Sequence, residues 1–181
     1  NSKLASRMRI LSSHGITRNP DLMKNAPHGP WYYEQLELGL NYRMSEVHAA
    51  LGMSQLKKLE IFISQRQKLA KNYDEMLSVM PLRIPGRMDN ASSSWHLYII
   101  RLQDAKRHRT IFNKLQNAGI GVNLHYIPVH LQPYYRTFGF GYGDFPSAEE
   151  YYAHAISIPL HAGLTEVEQN MIVEEIAKVT R

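Results

Sequence analysis

The chain has 181 residues, 44% hydrophobic and 20% charged, with nine prolines and eleven glycines, a balance that fits one folded domain or a domain with an arm and excludes a largely disordered chain. It has no cysteine, which rules out disulfides, thiolate catalysis and cysteine metal sites. The net charge of +5 suits an anionic ligand, but Arg7, Arg9, Lys57, Lys58, Arg66, Lys68 and Lys71 are spread along helix faces, and no basic block interleaved with stacking aromatics points to nucleic acid.

No apolar run reaches the roughly 18 residues a membrane span needs, and the lack of disulfides suits a cytoplasmic protein. The first residue is Asn1, inside a helical pattern, so a piece of a longer protein is expected. Lys3 to Ser12 carries Leu4, Met8 and Leu11 at near-helical spacing and ends at Ser13-His14-Gly15. Asn19 to Pro30 is a loop punctuated by Pro20, Pro27, Gly29 and Pro30, and Trp31-Tyr32-Tyr33 leads toward Gly39 as a strand or an ordered arm. Residues 1–44 are read as the tail of a larger domain together with an arm.

Ser45 reads as an N-cap with Glu46 in the first turn. Val47, Leu51, Leu56, Leu59, Phe62, Leu69, Tyr73 and Leu77 sustain one apolar stripe. One helix of about 30 residues would be roughly 45 Å long, so residues 45–80 are expected to link two bodies or to bend midway. Pro81 and Pro85-Gly86 stop it, and Arg87 to Ser94 is a polar loop.

Residues 81–181 are expected to form a small α+β domain, a three-stranded sheet layered with helices. Its strands are read at Trp95–Leu102, Gly121–Ile127 and Ile156–Ile158. Its helices are read at Lys106–Asn117, with Ile111, Phe112 and Leu115 inward and Gly119 as the terminal glycine, at Pro133–Phe138, and from a Ser147 cap to Ala155. Thr165-Glu166-Val167-Glu168 is a capping box opening a last amphipathic helix through Val167, Met171, Ile172, Ile176 and Val179.

Asn41-Tyr42-Arg43 sets an amide, a phenol and a guanidinium just before a helix start. Two readings stand: a capped loop with Arg43 in a surface ion pair, or a phosphate contact at a helix N-terminus. His125 and His130 fall on different faces around Pro128, so a metal pair is not expected. His96 and His154 read as structural or surface histidines; His161, after Pro159-Leu160 at a strand end, is better placed for a site. Gly139-Phe140-Gly141-Tyr142-Gly143 lacks the strand-then-helix context of a dinucleotide fingerprint and reads as an aromatic loop. Tyr134 and Tyr135 either cover a sugar or base or pack their own short helix.

Several stretches, taken in order, resemble a known family: Leu11-Ser12-Ser13-His14-Gly15, Gly39-Leu40-Asn41-Tyr42-Arg43-Met44, Ala49 to Leu56, Gly119 to Tyr126, Pro133-Tyr134-Tyr135, Pro146-Ser147-Ala148-Glu149 and Ile158-Pro159-Leu160-His161. Together they look like the C-terminal portion of the DegT/DnrJ/EryC/StrS nucleotide-sugar aminotransferases, pyridoxal-phosphate enzymes with the α/β, aspartate-aminotransferase-like fold (type I). Ser94–Tyr98 and His125–Pro133 look most like the branch that aminates C4 of a UDP-linked 4-keto-6-deoxy-N-acetylhexosamine on the way to pseudaminic acid.

The resemblance implies a homodimer that moves the amine of glutamate onto a nucleotide-linked keto sugar with pyridoxal 5'-phosphate. It implies that Asn41 reaches the cofactor phosphate of the partner subunit, that Arg43 lies near phosphate and substrate, and that His125, Tyr126 and Tyr134 face the nucleotide-sugar. The Schiff-base lysine of the family would lie upstream of Asn1. Lys3, Lys24, Lys57, Lys58 and Lys114 do not stand in its context, so the chain alone is expected to be inactive. Two further readings are a non-catalytic dimerisation or binding module of the same fold, and another nucleotide-sugar aminotransferase of the family.

Overall fold

A computed structural model describes residues 1–181. The chain forms two compact units, Asn1–Lys57 and Lys58–Arg181. No helix is long and apolar enough to cross a membrane.

The first unit opens with helix α1 (Ser2–Leu11), capped by the Asn1 side chain, which accepts from the Leu4 N–H at 3.2 Å. Strands β1 (Ile16–Thr17) and β2 (Glu34–Gln35) pair antiparallel. The loop between them is tied at its base by Glu34. Its carboxylate accepts from the Lys24 N–H at 2.6 Å, the Asn25 N–H at 2.9 Å and the Tyr32 hydroxyl at 2.8 Å. The Lys24 N–H above all, then the Tyr32 and Asn25 donors, hold the Glu34 acid down at about 2 against an ordinary 4.5. A depressed folded-state value means the carboxylate's contribution is complete above about 4.5 and is lost as pH falls from there through about 2. Trp31 fluorescence is expected to titrate in that acid window, and Glu34→Gln to remove the transition. A transition that persists in Glu34→Gln would assign it elsewhere.

Helix α2 (Glu46–Leu56) begins at Ser45, whose hydroxyl accepts from the His48 N–H at 3.4 Å. The helix expected to continue from Ser45 toward Leu77 is divided. Lys58 sits at φ −101°, ψ −1°, well off ideal helical values, and the next helix, α3 (Leu59–Leu77), starts afresh. The apolar stripe divides with it. Leu69, Tyr73 and Leu77 are buried, while Val47, Leu51 and Leu56 are exposed.

In the second unit, strands β3 (Leu82–Arg83), β4 (Tyr98–Leu102) and β5 (Ala155–Ile158) form an antiparallel sheet in that order. Tyr98 pairs with Ile158, Ile100 with Ile156, and Leu82 with Leu102. Tyr98, Ile100 and Leu102 alternate onto one face and are buried with Leu69, Tyr73 and Leu77 of α3. Ile111 and Leu115 of α4 (His108–Asn117) and Ile172 and Ile176 of α7 (Glu166–Thr180) complete this core. Two short helices, α5 (Pro133–Arg136) and α6 (Pro146–His154), precede β5.

Four expectations are corrected. Gly121–Ile127 is not a strand: only Asn123 pairs, with Ser157, and its side-chain oxygen accepts from the next N–H, of Leu124, at 2.7 Å, bending the chain off the ladder. The third strand is instead Leu82–Arg83, which lies between the prolines expected only to stop the helix. Trp95, at φ +50°, turns the chain so that pairing starts only at Tyr98. Arg66 of α3 braces that turn by donating to the Trp95 carbonyl at 3.0 Å. Finally, α6 starts with Pro146 in its first turn and no side-chain cap, so Ser147 is inside the helix.

The Thr165/Glu168 capping box is present. The buried face of α7 is Gln169, Ile172, Val173, Ile176 and Thr180, whereas Val167 and Met171 are exposed. Gln169 occupies the inward position because its amide donates to the Leu69 carbonyl at 2.7 Å.

Candidate functional site

Asn41 and Arg43 are held by backbone. The segment Gly39–Tyr42 lies along the end of α1: Leu40 N–H donates to the Leu11 carbonyl at 2.7 Å, Tyr42 N–H to Ser12 at 2.8 Å, and His14 N–H to Leu40 at 2.9 Å. Ser13 and Asn41 form a bridge, and the Leu36 N–H donates to Gly15 at 2.8 Å. Two glycines make this approach possible. A Cβ on Gly39 would lie 2.1 Å from the Gly15 nitrogen, and one on Gly15, itself at φ +72°, would lie 1.7 Å from the Glu37 carbonyl oxygen. The two stretches Leu11–Gly15 and Gly39–Met44 are therefore halves of one clamp.

The clamp sets the triplet just ahead of the Ser45-capped start of α2. Arg43 makes no ion pair; its Nη1 donates to the Ser13 hydroxyl at 3.1 Å, which leaves most of its donors open. The Asn41 amide makes no side-chain hydrogen bond, and both residues are exposed. A free amide and a forked cation beside a helix N-terminus can receive a phosphate group.

In the second unit His125 is half-buried, with Nδ1 2.7 Å from the Ser157 hydroxyl on β5. Its ring meets Tyr126 edge-on at 4.7 Å. Tyr126 is exposed and so is Tyr134, which packs with Tyr135 at 5.3 Å and Phe138 at 5.4 Å in a cluster of its own. His125 and His130 take different partners, Ser157 and Glu149.

The His130–Glu149 pair escaped the sequence reading. Both side chains are buried, Nε2 to Oε1 is 2.8 Å, and the same oxygen accepts from the Gly143 N–H at 2.8 Å. Burial pushes the Glu149 acid up, but the His130, Gly143 and Phe145 donors outweigh it and hold the carboxyl below its ordinary range. The pair fixes the Gly139–Gly143 loop next to the Tyr134 cluster. Its two members are 19 residues apart with no periodicity to join them; the one available signal was the Glu149 that closes the Pro-Ser-Ala-Glu motif.

Both units are helix-and-sheet structures, and the first carries a backbone-held, exposed group of donors in its clamped triplet. Residues 1–177 match the model of the DegT/DnrJ/EryC1/StrS aminotransferase family, and the chain belongs to that family. It is 34% identical over 164 residues to the UDP-4-amino-4,6-dideoxy-N-acetyl-beta-L-altrosamine transaminase of Campylobacter jejuni, a match over 89% of this chain and 41% of that protein. Among solved structures, the Helicobacter pylori PseC aminotransferase, involved in the biosynthesis of pseudaminic acid, superposes with a TM-score of 0.88 at 28% identity, over 99% of this chain and 47% of that one. The Streptococcus pneumoniae protein Spr1654 in its PMP form superposes with a TM-score of 0.89 at 27% identity, over 99% and 45%. The chain spans about half the length of the curated relatives it matches, 47% of the first two.

Proposed function

We propose that the full-length protein carrying this chain is a pyridoxal-phosphate-dependent aminotransferase that moves the amine of glutamate onto a UDP-linked 4-keto-6-deoxy-N-acetylhexosamine. It works as a cytoplasmic homodimer in surface-glycan sugar biosynthesis of the pseudaminic acid type, and this chain alone is inactive. The observation that carries the reading is the clamp: it fixes Asn41 and Arg43 on backbone while leaving their donors unspent, in a chain that belongs to an aminotransferase family. The names of the Campylobacter and Helicobacter relatives support the sugar, and the PMP form of Spr1654 supports the cofactor.

The residues present fit the phosphate of such a cofactor. Asn41 and Arg43 would hold it from the neighbouring subunit, the amide as a single donor and the guanidinium as a fork onto two oxygens. When bound, the pyridoxal group supplies the electron sink for amine transfer. In the second unit, Tyr126 and Tyr134 offer exposed rings to a nucleotide-sugar, and His125, braced on Ser157, presents its other ring nitrogen.

The test is to incubate the full-length protein with pyridoxal phosphate, glutamate and UDP-linked 4-keto sugars and to follow 2-oxoglutarate. Formation of 2-oxoglutarate that depends on the sugar is expected; none with any keto sugar would leave the non-catalytic binding module in its place. Asn41→Ala is expected to weaken cofactor retention about tenfold or more, the scale of a hydrogen bond to a charged group. Unchanged retention on gel filtration would remove Asn41 from the phosphate site.

A further inference from the structure

The second unit holds a polar cleft of about 600 Å³ lined by Arg83, Arg101, Ser147, Glu150, Tyr151 and His154, none of them used in the function proposed above. Arg83 on β3 and Arg101 on β4 are directly opposite each other in the antiparallel register. Side chains so placed are neighbours, and like charges there are destabilising. Neither guanidinium is relieved within the chain. The ion pairs include neither residue, and neither donates a side-chain hydrogen bond to a protein acceptor. Glu150 is the one carboxylate in the lining and pairs with neither. Arg101 is also half-buried, which makes an unpaired charge there more costly.

The opposite wall is one face of α6. Ser147, Glu150, Tyr151 and His154 stand at i, i+3, i+4 and i+7. His154 is held in place because its Nδ1 donates to the Leu102 carbonyl at 2.6 Å, leaving the other ring nitrogen free. Tyr151 is half-buried and brings an aromatic ring and a hydroxyl.

We propose that this cleft binds a phosphorylated small molecule, its phosphoryl group bridging Arg83 and Arg101 and its organic part lying along Tyr151. Two arginine forks can each place paired donors on phosphate oxygens, and the anion converts an adverse cation pair into a stabilised one. The volume is within the range of small-molecule sites and exceeds what a bare phosphate fills. The inference stands apart from the transaminase reading, because no residue of the clamp or of the His125 region enters it.

The experiment is calorimetric titration of the full-length protein with ribose 5-phosphate and, separately, with inorganic phosphate. The parent is compared with Arg83→Gln, Arg101→Gln and the double variant, so that any site elsewhere cancels in the comparison. One binding site is expected to be lost in the double variant, with each single change weakening it about tenfold or more, and Glu150→Gln is expected to tighten it. Tighter binding of ribose 5-phosphate than of phosphate would identify an organic ligand; equal binding would identify free phosphate as the source of the same chemistry. Without ligand, the double variant is expected to melt no lower than the parent, since a repulsion has gone, and to lose the ligand-dependent rise in Tm. Identical titrations for parent and double variant, or an equal ligand-dependent rise in Tm, would overturn the proposal. Arg83 is exposed, so Arg83→Gln keeps the test open if the Arg101 change prevents folding.

Discussion

Gly15→Ala is expected to open the clamp that carries Asn41 and Arg43. Two costs add. The residue sits at φ +72°, where an L side chain is disfavoured by about 1–2 kcal/mol. The new Cβ would also lie 1.7 Å from the Glu37 carbonyl oxygen. That atom is backbone, so no rotamer change relieves the clash, and the two chain segments must separate. Overpacking of this kind costs about 1–3 kcal/mol, so a total of about 2–5 kcal/mol is expected for the local structure. Hydrogen exchange gives the readout. Protection of the His14, Leu36, Leu40 and Tyr42 amides, which form the clamp's bonds, should fall together. Cofactor retention in the full-length protein should fall at least as far as in Asn41→Ala. Gly52 supplies the control. It lies within α2, where an added methyl would meet nothing within 4 Å, and Gly52→Ala is expected to stabilise the helix by about 0.5–1 kcal/mol. Undiminished protection in Gly15→Ala would show that the close approach is not what holds the triplet.

The clamp also marks where sequence reasoning stops. The two motifs that form it were visible, and the Ser45 cap located the helix start beside them. What no periodicity encodes is that Ser13 and Asn41 are paired, because a two-glycine backbone crossing leaves no hydrophobic pattern. Elements whose signals are local were legible to within a few residues: α4 with its Gly119 stop, α7 with its reciprocal cap, and the alternation Tyr98, Ile100, Leu102. Leu82–Arg83 was not, since a two-residue strand set between Pro81 and Pro85 is too short to show a period, and it exists only by pairing with β4.

Burial was harder to read than secondary structure. Period 3.6 places Val47 and Leu51 on one helix stripe, but it does not say what covers that stripe, and these side chains, like Leu56 on the far side of the helix, are exposed here. On α7 the apolar residues Val167 and Met171 drew the inward face one position away from where Gln169 puts it. A buried glutamine breaks the rule that the apolar face is the inner one, and it is tolerated because its amide is bonded to the Leu69 carbonyl. The buried His130–Glu149 pair follows the same logic: two polar groups far apart in sequence that are stable in the interior only together.

Ile156→Ala and Ser157→Ala should separate the support of the His125 region from its chemistry. Ile156 is fully buried on β5 opposite Ile100, which is also fully buried. Truncating it leaves a void in a packed site, a loss of about 2–5 kcal/mol. Against a typical domain stability of about 5–15 kcal/mol, that is a large fraction, and a Tm lower by about 10 °C is expected. The adjacent Ser157 points to the other side of the strand and faces His125, so Ser157→Ala deletes one hydrogen bond, of 2.7 Å, worth about 1 kcal/mol. Its Tm should move by only a few degrees. If His125 faces the nucleotide-sugar, however, freeing its ring should raise KM for the sugar several-fold while KM for glutamate holds. Ile156→Val, which keeps most of the packing, should retain both Tm and KM far better than Ile156→Ala. A Ser157→Ala protein with unchanged KM for both substrates would reduce the His125–Ser157 bond to a structural contact, because a group that positions a ligand cannot be released from its brace without changing how that ligand binds.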